Sequence, residues 1–409
     1  MTERKRQKLD IGPILVELDK CKRIDSAGKI FFEGWPIVEL YPTLEQAIDF
    51  PASLPEGERS RIMREALRAA AANRPLNTRA FLGAIKQLTH SFATTQPKAF
   101  VLATSVSLPQ SIKISPIRLD GGLIIFSLML PRRISREKLE AEFRINSLQP
   151  NPPNYQSVRV QVNARSTSEG FNRSKEMLEY VRALWNFQLN RTNIINFGSR
   201  SPLNKIRLGQ VHTLHQASGE LAADEYLYEP SYTLERNPAV TEWNTVERFR
   251  SQLHRLVSKC PYKAELREAL IRYGCALDLS DHESAFIKLW SVLELLTASE
   301  GRHDDVVRRC LFLCDDVEIH RLILHQLRQR RNDIVHSSLE SARTSQMLFQ
   351  LRRFIETLIS FHLRNSMYFK DLTEAAQFLH LPPEPTKLKN RISQYRRALR
   401  YRVKVREDN

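Results

Sequence analysis

Apolar residues recur with two different periods along this chain, and the change falls near residue 240. Before it, β-branched and large apolar residues predict strands over 99–107 and 122–130, and a third through Val158, Val160 and Val162. Arg159, Gln161 and Asn163 alternate with those valines, so this strand should carry a basic outer face. Asp120-Gly121-Gly122 supplies turn chemistry, and 206–215 and 226–234 look like further strands. Helices are expected over 57–73, from an Asn77 cap through Phe81, Ile85 and Leu88, over 136–143, and over 174–189. In the last of these, Leu178, Val181, Leu184 and Trp185 share one face.

After residue 241 the strand signals stop. Helical spacing predicts helices over 246–259, 264–277, 283–298, 318–330 and 345–369. Phe286, Leu289, Trp290, Leu293 and Leu296 follow the i, i+3, i+4, i+7 rule in one, and Leu351, Phe354, Leu358 and Phe361 in another. The fold class expected is α+β. A ragged N-terminal helical preamble (1–75) precedes an α+β domain with a mostly antiparallel sheet (76–235) and an all-α helical bundle (241–375). Leu381-Pro382-Pro383-Glu384-Pro385 breaks the chain before a basic tail helix over 386–409.

Length fits two or three domains, and 42% hydrophobic residues suffice for their cores. No apolar run approaches the ~18 residues of a membrane span, and the start lacks the apolar core of a signal peptide, so a cytoplasmic protein without a membrane partner is expected. The formal charge of +16 favours a polyanionic partner, RNA in particular. That charge is uneven: 387–409 holds nine Lys/Arg against two Asp/Glu, whereas 241–375 holds 20 basic residues against 19 acidic ones. Arg391, Arg396, Arg397 and Arg400 of the tail are the candidate phosphate contacts, on a helix whose apolar stripe (Leu388, Ile392, Tyr395, Leu399) is narrow.

Five cysteines with no Cys-x2-Cys pair argue against a disulfide framework or a zinc site, and Cys310 and Cys314 read as buried thiols. His320 and His325 lack metal-ligand spacing, His303-Asp304-Asp305 reads as an exposed cap, and no Gly-rich phosphate loop occurs. No metal and no cofactor are expected.

Chemistry concentrates instead in Arg331-Asn332-Asp333-Ile334-Val335-His336. An imidazole can move the proton of a ribose 2′-hydroxyl, and a guanidinium can neutralise the phosphorane that forms, so an Arg and a His on one scaffold can cleave RNA without metal. The spacing alone is weak, since Arg207 and His212 repeat it in a strand or loop and are read there as a chance match. Five residues on an ideal helix turn about 140°, so Arg331 and His336 need a long side chain, a helix junction or a second subunit to meet. Asn332 and His336, at i and i+4, share a face; Asn332 could bond a phosphate or a base, or merely cap a helix. Glu294 is the only charge in 289–296 and should pair with Arg331, or else lie at an exposed edge near Arg330 or solvent. The plain alternative for the motif is an Arg331 salt bridge to Asp333 or Glu340 beside a packing histidine.

The hexapeptide resembles the Arg-polar-x3-His signature of HEPN-superfamily ribonucleases, and the run from Ala285 to Leu296 is similar to the preceding helix of the Apea-like branch. The resemblance covers about 241–375. It implies a homodimer with paired motifs in one cleft, 2′,3′-cyclic phosphate and 5′-hydroxyl products, and service in bacterial phage defence or as a toxin-like effector. His336 would be the general base, Arg331 the phosphorane stabiliser, with Asn332 and Glu294 in support. The alternative is a non-catalytic module that binds nucleic acid or a protein.

Overall fold

The computed structural model describes residues 10–26, 28–51, 54–72, 75–150, 152–190, 202–229, 232, 242–299, 301–337 and 343–407, without the side chains of 224–225, 336–337 and 403–407. Helices α1 (Gly12–Lys20), α2 (Trp35–Ala47), α3 (Glu56–Ala71) and α4 (Thr78–Thr94), with a hairpin of β1 (Lys22–Ile24) and β2 (Ile30–Phe32), gather around their own apolar cluster. Leu15, Leu44, Ile62, Met63 and Phe81 are fully buried there. Asn77 caps α4 by accepting from the Ala80 amide, the cap expected from sequence. Phe81, Ile85 and Phe92 of α4 belong to this N-terminal cluster, so its core extends past residue 75 to residue 92.

Next come β3 (Lys98–Val106), β4 (Ile117–Leu119), β5 (Gly122–Ser127), α5 (Glu140–Ile145), β6 (Gln156–Ala164), α6 (Thr167–Leu189), β7 (Val211–Gln216) and β8 (Leu221–Tyr228). Six strands form one sheet in the order β4-β5-β6-β3-β7-β8, every pairing antiparallel. Asp120 and Gly121 turn β4 into β5 with φ of 48° and 75°, a left-handed pair suited to a tight hairpin. Ser166 and Glu169 form a reciprocal cap at the start of α6: the hydroxyl accepts from the Glu169 amide, and the carboxylate accepts from the Arg165 amide. The shared face read for α6 is buried, with Leu178, Val181, Leu184 and Trp185 at 1% exposure or less.

The rest is helical: α7 (Trp243–Lys259), α8 (Lys263–Leu277), α9 (His282–Leu296), α10 (His303–Leu311), α11 (Val317–Ser337), α12 (Thr344–Arg364), α13 (Leu372–Leu379) and α14 (Pro385–Glu407). Phe286, Leu289, Trp290, Leu293 and Leu296 of α9 are buried against α8 and α12. The sheet and the bundle are not separate cores. One apolar cluster runs from Phe100 to Leu379, because α6 lies on the sheet with one side and on α7 and α8 with another.

A buried ion network crosses that junction. Arg182 of α6 reaches Asp278 through Nη1 (2.9 Å) and Nη2 (2.5 Å), Glu179 through Nε (3.0 Å) and the Ile206 carbonyl (3.0 Å). Burial alone would lower the Arg182 pKa, but the two carboxylates reverse this and hold it well above the usual value. Burial pushes the Glu179 carboxyl up despite Arg182. Among the described residues no helix is long and apolar enough to cross a membrane.

Candidate functional site

The expected helix over 318–330 is longer than its sequence spacing suggested. Leu324, Leu327, Arg331 and Ile334 keep one helical face going, so α11 carries the whole hexapeptide within its last two turns. No helix junction separates Arg331 from His336. On a continuous helix the two positions are about 7.5 Å apart along the axis and about 140° apart around it. The His336 side chain lies outside the described residues.

Two adjacent arginines on α11 have opposite fates. Arg330 is buried at 7% exposure, reaching Glu283 at the start of α9 and Thr344 Oγ1 (2.9 Å) at the start of α12. It is a clamp between three helices. Arg331 is half-buried, its Nη1 lies 3.4 Å from Asn332 Oδ1, and it makes no ion pair with a carboxylate among the described residues. The salt bridge to Asp333 considered from sequence is therefore absent there, and the Asp333 Oδ1 accepts from Gln329 (2.9 Å). Glu340 lies outside the described residues.

Glu294 does not meet Arg331. Its Oε1 accepts from Trp290 Nε1 (3.1 Å) and lies 3.1 Å from His303 Nδ1, with both Glu294 and His303 side chains 19% exposed. The expected pairing fails because the chain reverses between α9 and α10 and brings His303 back over α9. Ala298 and Gly301 take φ of 47° and 79° in that reversal, and Arg309 holds it by donating to the Thr297 and Ala298 carbonyls. His303, read as an exposed cap, is thus the missed partner; Gly301 was the sequence signal for the reversal.

The tail helix α14 stands in solvent. Arg396, Arg397 and Arg400 are exposed, Arg391 is half-exposed, and none of the four makes an ion pair among the described residues. Its apolar stripe is undocked: Ile392, Tyr395 and Leu399 are 50%, 64% and 67% exposed. At its base Lys387 joins Arg308, Arg321 and His325 around a cavity of about 340 Å3, with Asp304 and Glu384 also on its wall. Arg321, His325 and Arg328 follow one face of α11 that continues to Asn332.

The pair dismissed as a chance match is also not a loose loop. His212 is 1% exposed, with Nδ1 2.6 Å from Thr104 Oγ1 and Nε2 2.8 Å from Glu229 Oε1. The carboxylate can only accept, so Nε2 carries the proton and Nδ1 accepts from the hydroxyl. Burial lowers the His212 pKa, while burial's upward push on Glu229 is outweighed by His212 and Lys175, which hold it down at about 2. Cys310 is buried and its pKa raised by desolvation, as is that of Cys314, to about 11; both are free thiols of low reactivity. Groups of three or more His, Cys, Asp or Glu placed to hold a metal are absent among the described residues. Comparison of the chain with protein-family models, with curated proteins and with solved structures finds no match.

Proposed function

We propose that the chain is a metal-independent endoribonuclease acting through Arg331 and His336 of α11. The observation that carries this reading is the contrast between neighbouring arginines: Arg330 is engaged with Glu283 and Thr344 in holding three helices together, while Arg331 has no carboxylate partner among the described residues. An arginine left in that state at a half-buried site is suited to neutralise an incoming phosphate. His336 would take the 2′-hydroxyl proton, the 2′-oxygen would attack phosphorus, and the bond to the 5′-oxygen would break, the leaving oxygen taking a proton from the imidazolium or from water, to give 2′,3′-cyclic phosphate and 5′-hydroxyl ends. Asn332 would orient a phosphate oxygen. Glu294 is committed to Trp290 and His303, so the proposal rests on the other residues.

Because one straight helix directs Arg331 and His336 apart, the site is proposed to be shared across a two-fold homodimer, each chain lending one residue to the other's. Arg308, Arg321 and Arg328, with the arginines of α14, would lead the RNA backbone toward it. Use against phage RNA, or as a toxin-like effector, would follow from the HEPN resemblance.

A second reading, binding without cleavage, is favoured by the nearly neutral bundle, with 20 basic residues against 19 acidic over 241–375. Incubation of the purified chain with total RNA and EDTA separates the two. Cleavage with cyclic-phosphate ends, lost in R331A, is expected for the enzyme; binding with no cleavage in any buffer supports the second reading.

A further inference from the structure

Helix α14 carries an apolar stripe that no described residue covers. Every residue from Ile392 to Arg402 is exposed, and Leu388 is half-buried at the base. Ile392, Tyr395 and Leu399 stand 50%, 64% and 67% exposed. Leu388, Ile392, Tyr395 and Leu399 follow one another at separations of four, three and four residues. They therefore fall within about 60° around the helix axis and run about 16 Å along it. So narrow a seam is the spacing by which one helix grips another, knobs into holes, rather than the broad face that lies on a core.

Both sides of the seam carry one sign of charge. Lys389 and Arg396 flank it on one side and Arg391 on the other, each about 70–90° from its centre, whereas Arg397 lies opposite. From Pro385 to Arg402 the sequence holds seven Lys/Arg and no Asp or Glu, so no carboxylate of this stretch answers them. Lys387 and Arg391, and likewise Arg396 and Arg400, stand at i and i+4, where like charges disfavour the helix on its own. Among the described residues, the ion pair made by α14 is Lys387 with Glu384 at its base (2.8 Å), away from the seam.

We infer that α14 is a docking helix for another protein, whose matching surface is an acidic amphipathic helix with apolar residues at the same spacing and Asp or Glu on both flanks. A second copy of α14 does not fit. A parallel pair sets Arg391 against Arg396, and an antiparallel pair sets the Lys389 and Arg396 side against itself. RNA answers the arginines but not the seam, since phosphates gain nothing from Leu388, Ile392 and Leu399. An acidic helix satisfies both features at once: the apolar side chains leave water, and each flank meets an opposite charge. A bound partner would cover Arg391 and Arg396 and leave Arg397, on the far side, open to RNA. The assignment concerns α14 alone and does not rest on the ribonuclease reading.

The probes, offered to the full chain and followed by fluorescence anisotropy, are a peptide of about three heptads with Leu along the seam and Glu on both flanks, the same peptide with Lys in place of Glu, and poly(U) RNA. The Glu peptide should bind with a Kd below about 100 μM, and about tenfold or more tighter than the Lys peptide. I392A/L399A keeps good helix formers and every charge. It should weaken the Glu peptide about tenfold or more while poly(U) affinity and the thermal midpoint hold. K389E/R391E/R396E should exchange the preference, taking the Lys peptide over the Glu peptide. No binding of the Glu peptide, equal binding of both peptides, full binding in I392A/L399A, or a triple variant that still prefers the Glu peptide would each overturn the assignment. A dimer in sedimentation that I392A/L399A dissociates would make a second copy the occupant, and loss of poly(U) binding in that variant would make it RNA; either result also overturns it.

Discussion

Replacing Arg182 with methionine tests how the sheet and the bundle are joined. Methionine keeps the aliphatic length but removes two bonds to Asp278, two to Glu179 and one to the Ile206 carbonyl. It strands two carboxylates, and the Glu179 side chain is only 8% exposed. Leaving a buried charge without its partner costs about 3–5 kcal/mol, a large share of the ~5–15 kcal/mol that stabilises a typical protein. Urea unfolding followed by tryptophan fluorescence reads this, with Trp185 on the sheet side and Trp290 in the bundle. The sign of the pH dependence follows from Glu179, whose pKa is already raised and would rise further in R182M. Between the unfolded and folded carboxyl pKa values the folded state then binds more protons, so stability falls as pH rises. The deficit of R182M should therefore shrink as pH drops below 7, and E179Q/R182M should recover about 1–3 kcal/mol of it. A loss under about 1 kcal/mol would refute the reasoning, as would a deficit that grows on acidification.

Two further perturbations follow from particular residues. His362 is fully buried between the Tyr262 hydroxyl (3.1 Å) and the Leu296 carbonyl (2.9 Å), and burial holds its pKa down at about 4. A histidine depressed in the folded state contributes stability that is complete above its unfolded pKa and lost as pH falls from about 6.5 to about 4, at most about 3 kcal/mol here. The difference in unfolding free energy between wild type and H362Q should change across that window and be flat above it; a flat difference throughout would contradict the assignment. Truncation after Leu381 removes α14, whose stripe faces solvent, so the thermal midpoint should hardly move while RNA affinity drops. Every phosphate that the shortened chain no longer neutralises should lower the slope of log affinity against log salt by about 0.7–0.9; a collapsed midpoint with an unchanged slope would show the helix to be part of the core.

The sequence was most legible where packing alone decides conformation. The faces of α6 and α9 are set by apolar spacing, and both are buried as read. The Asp120-Gly121 turn was readable because a left-handed pair needs those residues. Pro13 and Pro36 sit in the first turn of α1 and α2, where no amide is needed, so a residue that usually breaks helices here starts them. The end of α11 was missed because Arg330-Arg331-Asn332-Asp333 is polar, although Leu324, Leu327 and Ile334 keep the buried stripe on either side of it. The partner of Glu294 was not legible, since it depends on a chain reversal tied by Arg309 rather than on spacing. Likewise the buried state of His212 depends on β8 bringing Glu229 beside β7, a pairing that sequence order does not specify.

A shared Arg331–His336 site is tested most directly by mixing two inactive chains. R331A and H336A should each lose RNA cleavage in EDTA by orders of magnitude while keeping the wild-type thermal midpoint. If each site takes Arg331 from one chain and His336 from the other, half of the randomly re-formed dimers carry one intact site of two. Mixing should then restore about one quarter of wild-type activity. Cleavage retained by either single variant, or a mixture as inactive as its components, would contradict the shared site.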